Sequence, residues 1–66
     1  MIEYTNSQVI AVIDEYIHSE RNRKIMVDRL VNGICYEPLA EKYDLSVAQI
    51  KRIVYKCQMV IFKHLK

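Results

Sequence analysis

The sequence has few of the residues that interrupt regular structure. Its 66 residues include one glycine, Gly33, and one proline, Pro38, while 52% of the residues are hydrophobic. Disordered chains and linkers have the opposite composition, so we expect an ordered domain. A chain this short forms one domain at most, here residues 1–66, with a thin core, because small domains bury only about 60% of their unfolded surface. A cleft that encloses a small substrate is difficult to build on such a core, and we expect no enzyme.

Long apolar runs and a disulfide framework are also missing. No apolar stretch approaches the roughly 18 residues that cross a bilayer, and no basic-then-apolar leader opens the sequence. Cys35 and Cys57 are the only cysteines, whereas small secreted domains usually carry several disulfides. We therefore expect a cytoplasmic protein without a membrane segment. His18 and His64 do not combine with the two thiols in a zinc-finger spacing, so we expect neither a metal nor another cofactor.

Acidic residues are absent from the last third of the chain. Residues 46–66 contain five basic residues and no acidic one, whereas residues 1–45 contain five basic and eight acidic residues. The charge is therefore +5 on the last third and −3 on the rest, which together give the net charge of +2. A basic segment on a mildly acidic body is typical of a surface that binds nucleic acid.

Helix start signals recur along the chain, and apolar residues at helical spacing follow each of them. Thr5 and Gln8 have the spacing of a capping box and predict the start of a first helix. Ser19 is the predicted cap of a second helix that runs to about Asn32, where Gly33 tolerates the left-handed backbone that ends helices. The residues predicted to face inward from these two helices are Val9, Ile10, Val12, Ile13, Tyr16, Ile17, Met26, Val27, Leu30 and Val31.

The second half of the chain predicts one short and one long helix. The short helix spans about Tyr36–Tyr43, with Pro38 in its first turn, where a proline breaks no helical hydrogen bond. The helical pattern stops at Asp44. Ser46 and Gln49 then predict a second capping box at the start of the long helix. The predicted inner stripe of the long helix consists of Ile50, Ile53, Val54, Cys57, Ile61 and Leu65. No alternating strand pattern is present, so we expect an all-α, four-helix domain with a long C-terminal helix.

Residues 36–56 have the pattern of a helix-turn-helix motif, in which two helices cross steeply around a tight turn. Ala40 provides the small side chain that such helices need where their backbones come closest. Asp44 lies in the turn, and aspartate tolerates left-handed backbone geometry better than most residues. Apolar residues occupy the contact positions on both sides of the turn, namely Leu39, Tyr43, Leu45, Ile50 and Ile53.

The motif resembles the fourth conserved region of bacterial sigma factors, a promoter-binding helix-turn-helix domain that small phage and mobile-element regulators share. The resemblance covers about residues 19–65 and rests on Asn32-Gly33-Ile34-Cys35-Tyr36-Glu37, Leu39-Ala40-Glu41, Leu45-Ser46 and Gln49-Ile50-Lys51-Arg52-Ile53. It implies that the second motif helix enters the major groove of DNA. Cys35, Val47 and Ala48 differ from the residues common in that family, so we expect a different target sequence. The sigma-factor segments that melt DNA and bind the polymerase core have no counterpart here, so we expect a transcriptional regulator rather than a complete sigma factor.

The outward face of the long helix contains the candidate DNA contacts. Recognition helices usually contact bases from their N-terminal turns. Gln49 and Arg52 are therefore predicted to bind base edges, because glutamine pairs with adenine and arginine with guanine. Lys51 and Lys56 are predicted to bind phosphates, as is the start of the third helix at Tyr36. The alternatives are that Gln49 only completes the capping box and that the basic residues form a solvated face. The full predicted set is Tyr36, Ser46, Gln49, Lys51, Arg52, Tyr55 and Lys56.

A second apolar stripe lies on the long helix, opposite its predicted core face. Tyr55, Met59 and Phe62 follow one another at spacings of four and three residues. A helix that packs on one side only needs no second stripe. Either the N-terminal helix covers it, or Met59 and Phe62 form a partner surface for a second copy of the chain or for another protein such as RNA polymerase.

Two functions follow from these features. The first is sequence-specific binding of double-stranded DNA by a transcriptional regulator. The alternative is a protein-interaction module on the same scaffold, which binds RNA polymerase or another protein and has weak or no affinity for DNA. Val47, Ala48 and the small net charge favour the alternative, and the basic last third favours the first.

Overall fold

The computed structural model describes residues 5–65, which form four α-helices and no strand. The helices are α1 (Asn6–Tyr16), α2 (Glu20–Leu30), α3 (Tyr36–Tyr43) and α4 (Val47–His64). The prediction of an all-α, four-helix fold is therefore confirmed. The predicted bounds of α3 agree at both ends, whereas α2 ends two residues earlier than predicted. Lys66, part of the basic segment, lies outside the described residues together with residues 1–4.

Side-chain caps fix the starts of three helices. At α1, Thr5 Oγ1 accepts a hydrogen bond from the Gln8 backbone N–H at 3.2 Å, and Gln8 Oε1 accepts one from the Thr5 N–H at 2.9 Å. At α4, Ser46 and Gln49 exchange the same pair of bonds at 3.1 and 2.9 Å. Ser19 caps α2 with its hydroxyl oxygen. Both predicted capping boxes are thus confirmed, and each satisfies two backbone donors that a helix start otherwise leaves exposed.

The turn between α3 and α4 depends on one residue with a left-handed backbone. Asp44 has φ 56° and ψ 46°, a conformation that costs a non-glycine residue roughly 1–2 kcal/mol. Its N–H donates to the Glu41 carbonyl at 3.3 Å, and the Leu45 N–H donates to the Ala40 carbonyl at 2.9 Å. This pair of bonds is a Schellman motif, which ends α3 and turns the chain sharply into α4.

Helices α2 and α4 form the centre of the fold. They pack against each other, and each packs against both α1 and α3, which do not pack against one another. The side chains of the core with less than 2% exposure are Ile13, Ile25, Met26, Leu39, Ile50, Val54 and Ile61. Ala40 is also buried, as expected for the small residue of the motif, whereas Ile53 is only partly buried.

The inward face of α2 differs from the prediction. Ile25 is fully buried beside Met26, while Val27 and Leu30 are only partly buried. Three apolar residues, Ile25, Met26 and Val27, are consecutive in α2, so periodicity alone did not select the face that packs between α1, α3 and α4. No helix within residues 5–65 is long and apolar enough to span a membrane.

An aromatic contact joins the end of α4 to α1. The rings of Tyr16 and His64 are stacked, with centroids 3.6 Å apart and planes inclined by 1°. Because α2 and α3 also pack against α4, the long helix contacts all three of the other helices.

Candidate nucleic-acid interface

Burial of one face of α4 determines which of its side chains point into solvent. Ile50 and Ile61 are fully buried, so residues about half a helical turn away from them face outward. The candidate DNA contacts on this helix are all exposed, namely Gln49, Lys51, Arg52, Tyr55 and Lys56. The structure therefore places them together on the solvent side of one helix.

The solvent side of α4 carries positive charge only. Between Val47 and His64 the helix contains no Asp or Glu, and its basic residues are Lys51, Arg52, Lys56 and Lys63. Within residues 5–65, the ion pairs join Lys24 to Glu20 and Lys42 to Asp28, so neither involves α4. Four cations that no acidic side chain neutralises produce a positive potential, which attracts a polyanion.

Tyr36, the first residue of α3, lies close to two further charges. The guanidinium carbon of Arg29 is 4.6 Å from the centre of the Tyr36 ring, and Lys51 Nζ is 5.7 Å from it. At these distances the face of the ring attracts a cation. Arg29 Nη1 also donates a hydrogen bond to the Ile34 carbonyl oxygen at 3.2 Å, which fixes the guanidinium between α2 and α3.

This cluster of Arg29, Tyr36 and Lys51 brings together residues from three helices. The amide groups at the start of α3 add the positive end of a helix dipole to the two cations. Arg29 was not among the predicted contacts. Its only sequence signal is its position in the last turn of α2, shortly before the start of α3. The cluster extends the basic surface of α4 across the motif.

Gln49 and Ser46 are occupied by their helix cap. Gln49 Oε1 accepts the hydrogen bond from the Ser46 N–H, and Ser46 Oγ accepts from the Gln49 N–H. A bidentate pair with adenine requires both the oxygen and the amino group of a glutamine side chain. In this conformation only the amino group of Gln49 and the hydroxyl hydrogen of Ser46 can donate to DNA. The Arg52 side chain takes no part in this cap and is exposed.

A buried carboxylate holds α3 against α2. Asp28 is 8% exposed. Its Oδ2 atom accepts hydrogen bonds from the Tyr43 hydroxyl at 2.6 Å and from Lys42 Nζ at 2.8 Å, and its Oδ1 atom accepts one from Asn32 Nδ2 at 3.2 Å. No local pattern in the sequence indicates this network. It anchors the last turn of α3 and so sets the position of the motif turn.

The same network shifts the pKa values of two of its members. Burial on its own raises the pKa of Asp28, but the hydrogen bonds from Lys42, Tyr43 and Asn32 outweigh it and hold that pKa below the ordinary value. Burial and the neighbouring Asp28 carboxylate raise the pKa of Tyr43 to about 12. At neutral pH the network therefore contains a charged carboxylate and a neutral phenol.

The second apolar stripe of α4 is open to solvent. The exposed fractions are 56% for Tyr55, 76% for Met59 and 51% for Phe62. The alternative that the N-terminal helix covers the stripe is therefore wrong. Helix α1 packs instead against α2 and the inner side of α4, where Ile13 and Ile17 are buried.

The two thiols differ in exposure. Cys35 is exposed at the start of α3, where it makes no capping hydrogen bond. Burial raises the pKa of Cys57, although Lys56 partly offsets this effect. Within residues 5–65, no three His, Cys, Asp or Glu side chains are grouped as metal ligands.

Comparison of the chain with profiles of known protein families, with characterised proteins and with solved structures finds no significant match. The resemblance to sigma-factor region 4 therefore rests on the motif residues alone.

Proposed function

We propose that the protein is a transcriptional regulator that binds double-stranded DNA sequence-specifically through a sigma region 4-like helix-turn-helix formed by α3 and α4. The observation that carries this proposal is the exposed side of α4, which bears four cations and no acidic residue. The cluster of Arg29, Tyr36 and Lys51 extends that charge to the start of α3. Such a regulator acts in the cytoplasm and needs neither a cofactor nor catalysis.

The side chains divide into two groups by the contact they are suited to make. Arg52 is exposed and free to form a bidentate pair with guanine, so it is the main candidate for base recognition. Gln49 contributes through its amino group, because its oxygen is held in the cap. The remaining candidates suit the DNA backbone, which fixes the position of the protein without selecting a sequence; they are Arg29, Tyr36, Ser46, Lys51, Tyr55 and Lys56.

The test is a titration of fluorescently labelled random-sequence duplex DNA with the protein, measured by anisotropy over a range of salt concentrations. The three cations assigned to the DNA backbone, Arg29, Lys51 and Lys56, predict a logarithmic slope of affinity against salt of roughly −3. Lys56→Ala should flatten that slope by about one contact. Lys24→Ala is the matched control, because Lys24 is an exposed lysine of α2 that pairs with Glu20 at 3.6 Å. Absence of binding at low salt would refute the proposal.

A second function is supported by a separate observation, the exposed stripe of Tyr55, Met59 and Phe62. On this view the scaffold binds RNA polymerase or another protein and contacts DNA weakly or not at all. Lack of a DNA complex at low salt, together with a complex with purified RNA polymerase that Met59→Glu abolishes, would support this function over the first.

A further inference from the structure

The second apolar stripe of α4 lies between two groups of cations. At 100° per residue around the helix, Lys51 borders one edge of the stripe. The other edge is bordered by Arg52, Lys56 and Lys63. All four cations are exposed, and α4 contains no acidic residue. A molecule that covers the stripe therefore needs apolar groups at its centre and negative charge on both sides.

Duplex DNA has the negative charge but not the apolar centre. Its bases are paired and stacked, so only their edges are accessible in the grooves. Phosphates placed against Tyr55, Met59 and Phe62 would lose water without gaining a partner, which is unfavourable. These three side chains are more than half exposed. A duplex therefore leaves most of their apolar surface without a complementary contact.

Unpaired bases provide the apolar groups that a duplex lacks. In a single strand the face of each base is accessible, and it stacks on aromatic side chains while the phosphates bind neighbouring cations. The Tyr55 hydroxyl lies at the edge of its ring, so it can donate to the DNA backbone while the face of the ring contacts a base. Met59 is flexible and polarisable, and it adapts to bases of different shape. The stripe and its cations thus combine the two components of a single-strand binding surface.

The two rings of the stripe are spaced for successive bases. Tyr55 and Phe62 are seven residues apart, which is ~10.5 Å along α4 and within about 20° of two full turns. Both rings therefore lie on the same side of the helix. Stacked bases of one strand follow one another at about 3.4 Å, so roughly four nucleotides reach from one ring to the other.

The stripe continues the duplex-binding side toward the C-terminal end of α4. Phe62 lies thirteen residues after Gln49, which is ~20 Å along the helix. The major groove is only about 12 Å wide. When the first turns of α4 enter the groove, Phe62 therefore lies beyond its edge, where a strand that leaves the duplex is within reach.

We infer that the DNA bound by this protein contains unpaired bases beside the duplex, and that these bases stack on Tyr55 and Phe62. The inference rests on the proposed function and specifies its target as a junction between double-stranded and single-stranded DNA.

Anisotropy titrations with three labelled DNAs test the inference. The first is the blunt random-sequence duplex, and the second is the same duplex with an overhang of about four thymidines at its 5′ or 3′ end. The third has an abasic overhang of equal length and is the matched control, because it adds the phosphates without the bases. A base stacked on an aromatic ring contributes about 5- to 150-fold in affinity. For one polarity, the thymidine overhang should therefore bind at least about fivefold more tightly than the abasic overhang.

Replacement of Phe62 separates stacking from general apolar contact. Phe62→Leu keeps an apolar side chain but has no ring, so it should remove most of the gain from the thymidine overhang. Phe62→Tyr keeps the ring and should retain the gain. Neither variant should differ from the wild type on the blunt duplex. Phe62 is half exposed, so both variants leave the buried face of α4 intact, which circular dichroism checks.

Photocrosslinking locates the bases on the protein. A 5-iododeoxyuridine replaces one thymidine of the overhang at a time, and the irradiated complex is digested and analysed by mass spectrometry. The crosslinked residue should be Tyr55 or Phe62. The same nucleotide placed within the duplex is the control and should not crosslink to either ring.

The outcomes distinguish the inference from the proposed function. Equal affinities for the thymidine and abasic overhangs at both polarities, with the blunt duplex still bound, refute the stacking and leave the proposed function intact. Binding of the thymidine overhang without any binding of the blunt duplex refutes the proposed function, whereas a gain that Phe62→Leu removes still supports the stacking. Absence of binding to all three DNAs at every salt concentration refutes both.

Discussion

Replacement of Asp28 by asparagine tests how strongly the buried carboxylate holds the motif in place. Asp28→Asn keeps the shape of the side chain but removes its charge and presents an amino group to one of its donors. The Tyr43 hydroxyl and Lys42 Nζ both donate to Asp28 Oδ2, at 2.6 and 2.8 Å. Any orientation of the new amide therefore leaves at least one donor of the network without its acceptor.

The magnitude follows from how exposed each partner is. A hydrogen bond to a charged group contributes about 1.5–3 kcal/mol. The Lys42 side chain is 55% exposed, so its bond is discounted because water replaces it at little cost. Tyr43 is partly buried, so the exchange of its charged acceptor for a neutral one costs more. We expect Asp28→Asn to lower the free energy of unfolding at neutral pH by about 2–3 kcal/mol, a large share of the roughly 3–10 kcal/mol available to a domain of this size.

The pH dependence of the stability provides a second, independent test of the network in acid. Because the pKa of Asp28 is lowered in the folded protein, its contribution to stability is present above its ordinary pKa, and is lost as the pH falls below that value through the folded pKa. The difference in stability between the wild type and Asp28→Asn should therefore shrink in acid.

The contribution of Tyr43 to stability depends on pH in the opposite direction. Its pKa is raised from 10.0 to about 12, so its contribution is present below pH 10 and is lost between pH 10 and 12. The wild type should lose up to about 2–3 kcal/mol in that window, and Asp28→Asn should lose less.

Urea denaturation monitored by circular dichroism at several pH values measures these differences. Asp14→Asn is the matched control, because Asp14 is an exposed aspartate on α1. Equal stabilities of the two variants at neutral pH would refute the role of the network.

Substitutions at three further positions test the motif itself. Arg52→Ala should cost about 1–3 kcal/mol on the best DNA site and relax the preference for a guanine, measured by anisotropy on selected and random duplexes; an equal loss on both would reject base recognition. Asp44→Gly should raise the free energy of unfolding by up to about 1 kcal/mol, because glycine adopts φ 56° without strain. Asp44→Val should lower it in the same denaturation assay, and a reversed order would contradict the strain at this position. Ala40→Leu should lower stability by about 1–3 kcal/mol through overpacking of a buried site, and an unchanged thermal transition would show that the position has room.

The features that the sequence predicted correctly depend on neighbouring residues. The capping boxes of Thr5 and Ser46 join atoms three residues apart, and the left-handed turn at Asp44 is set by the bonds of one helix end. Local geometry of this kind is determined by a few adjacent residues. Helix bounds and the exposed side of α4 followed from these signals together with the apolar period.

The features that could not be predicted depend on contacts between helices. Tyr43 and Asp28 are fifteen residues apart in sequence, and the position of Asp28 between Val27 and Arg29 does not reveal its partner. The approach of Arg29 to Tyr36 depends on the path of the chain between α2 and α3. The burial of Ile25 depends on which sides of α2 its neighbours occupy. Each of these requires the angles between helices, which no local pattern specifies.

Helix α4 runs from Val47 to His64 as one element, without a glycine or a proline. The distance between its N-terminal turn and the stripe centred on Met59 is therefore set by one continuous helix without a hinge. One inserted residue lengthens it by ~1.5 Å but rotates one end by about 100° relative to the other. Only insertions of about seven residues, close to two turns, restore the relative orientation of the two ends, and they lengthen the helix by ~10 Å. Insertions that preserve the relative orientation of the N-terminal turn and the stripe therefore change the distance between them only in a few discrete steps.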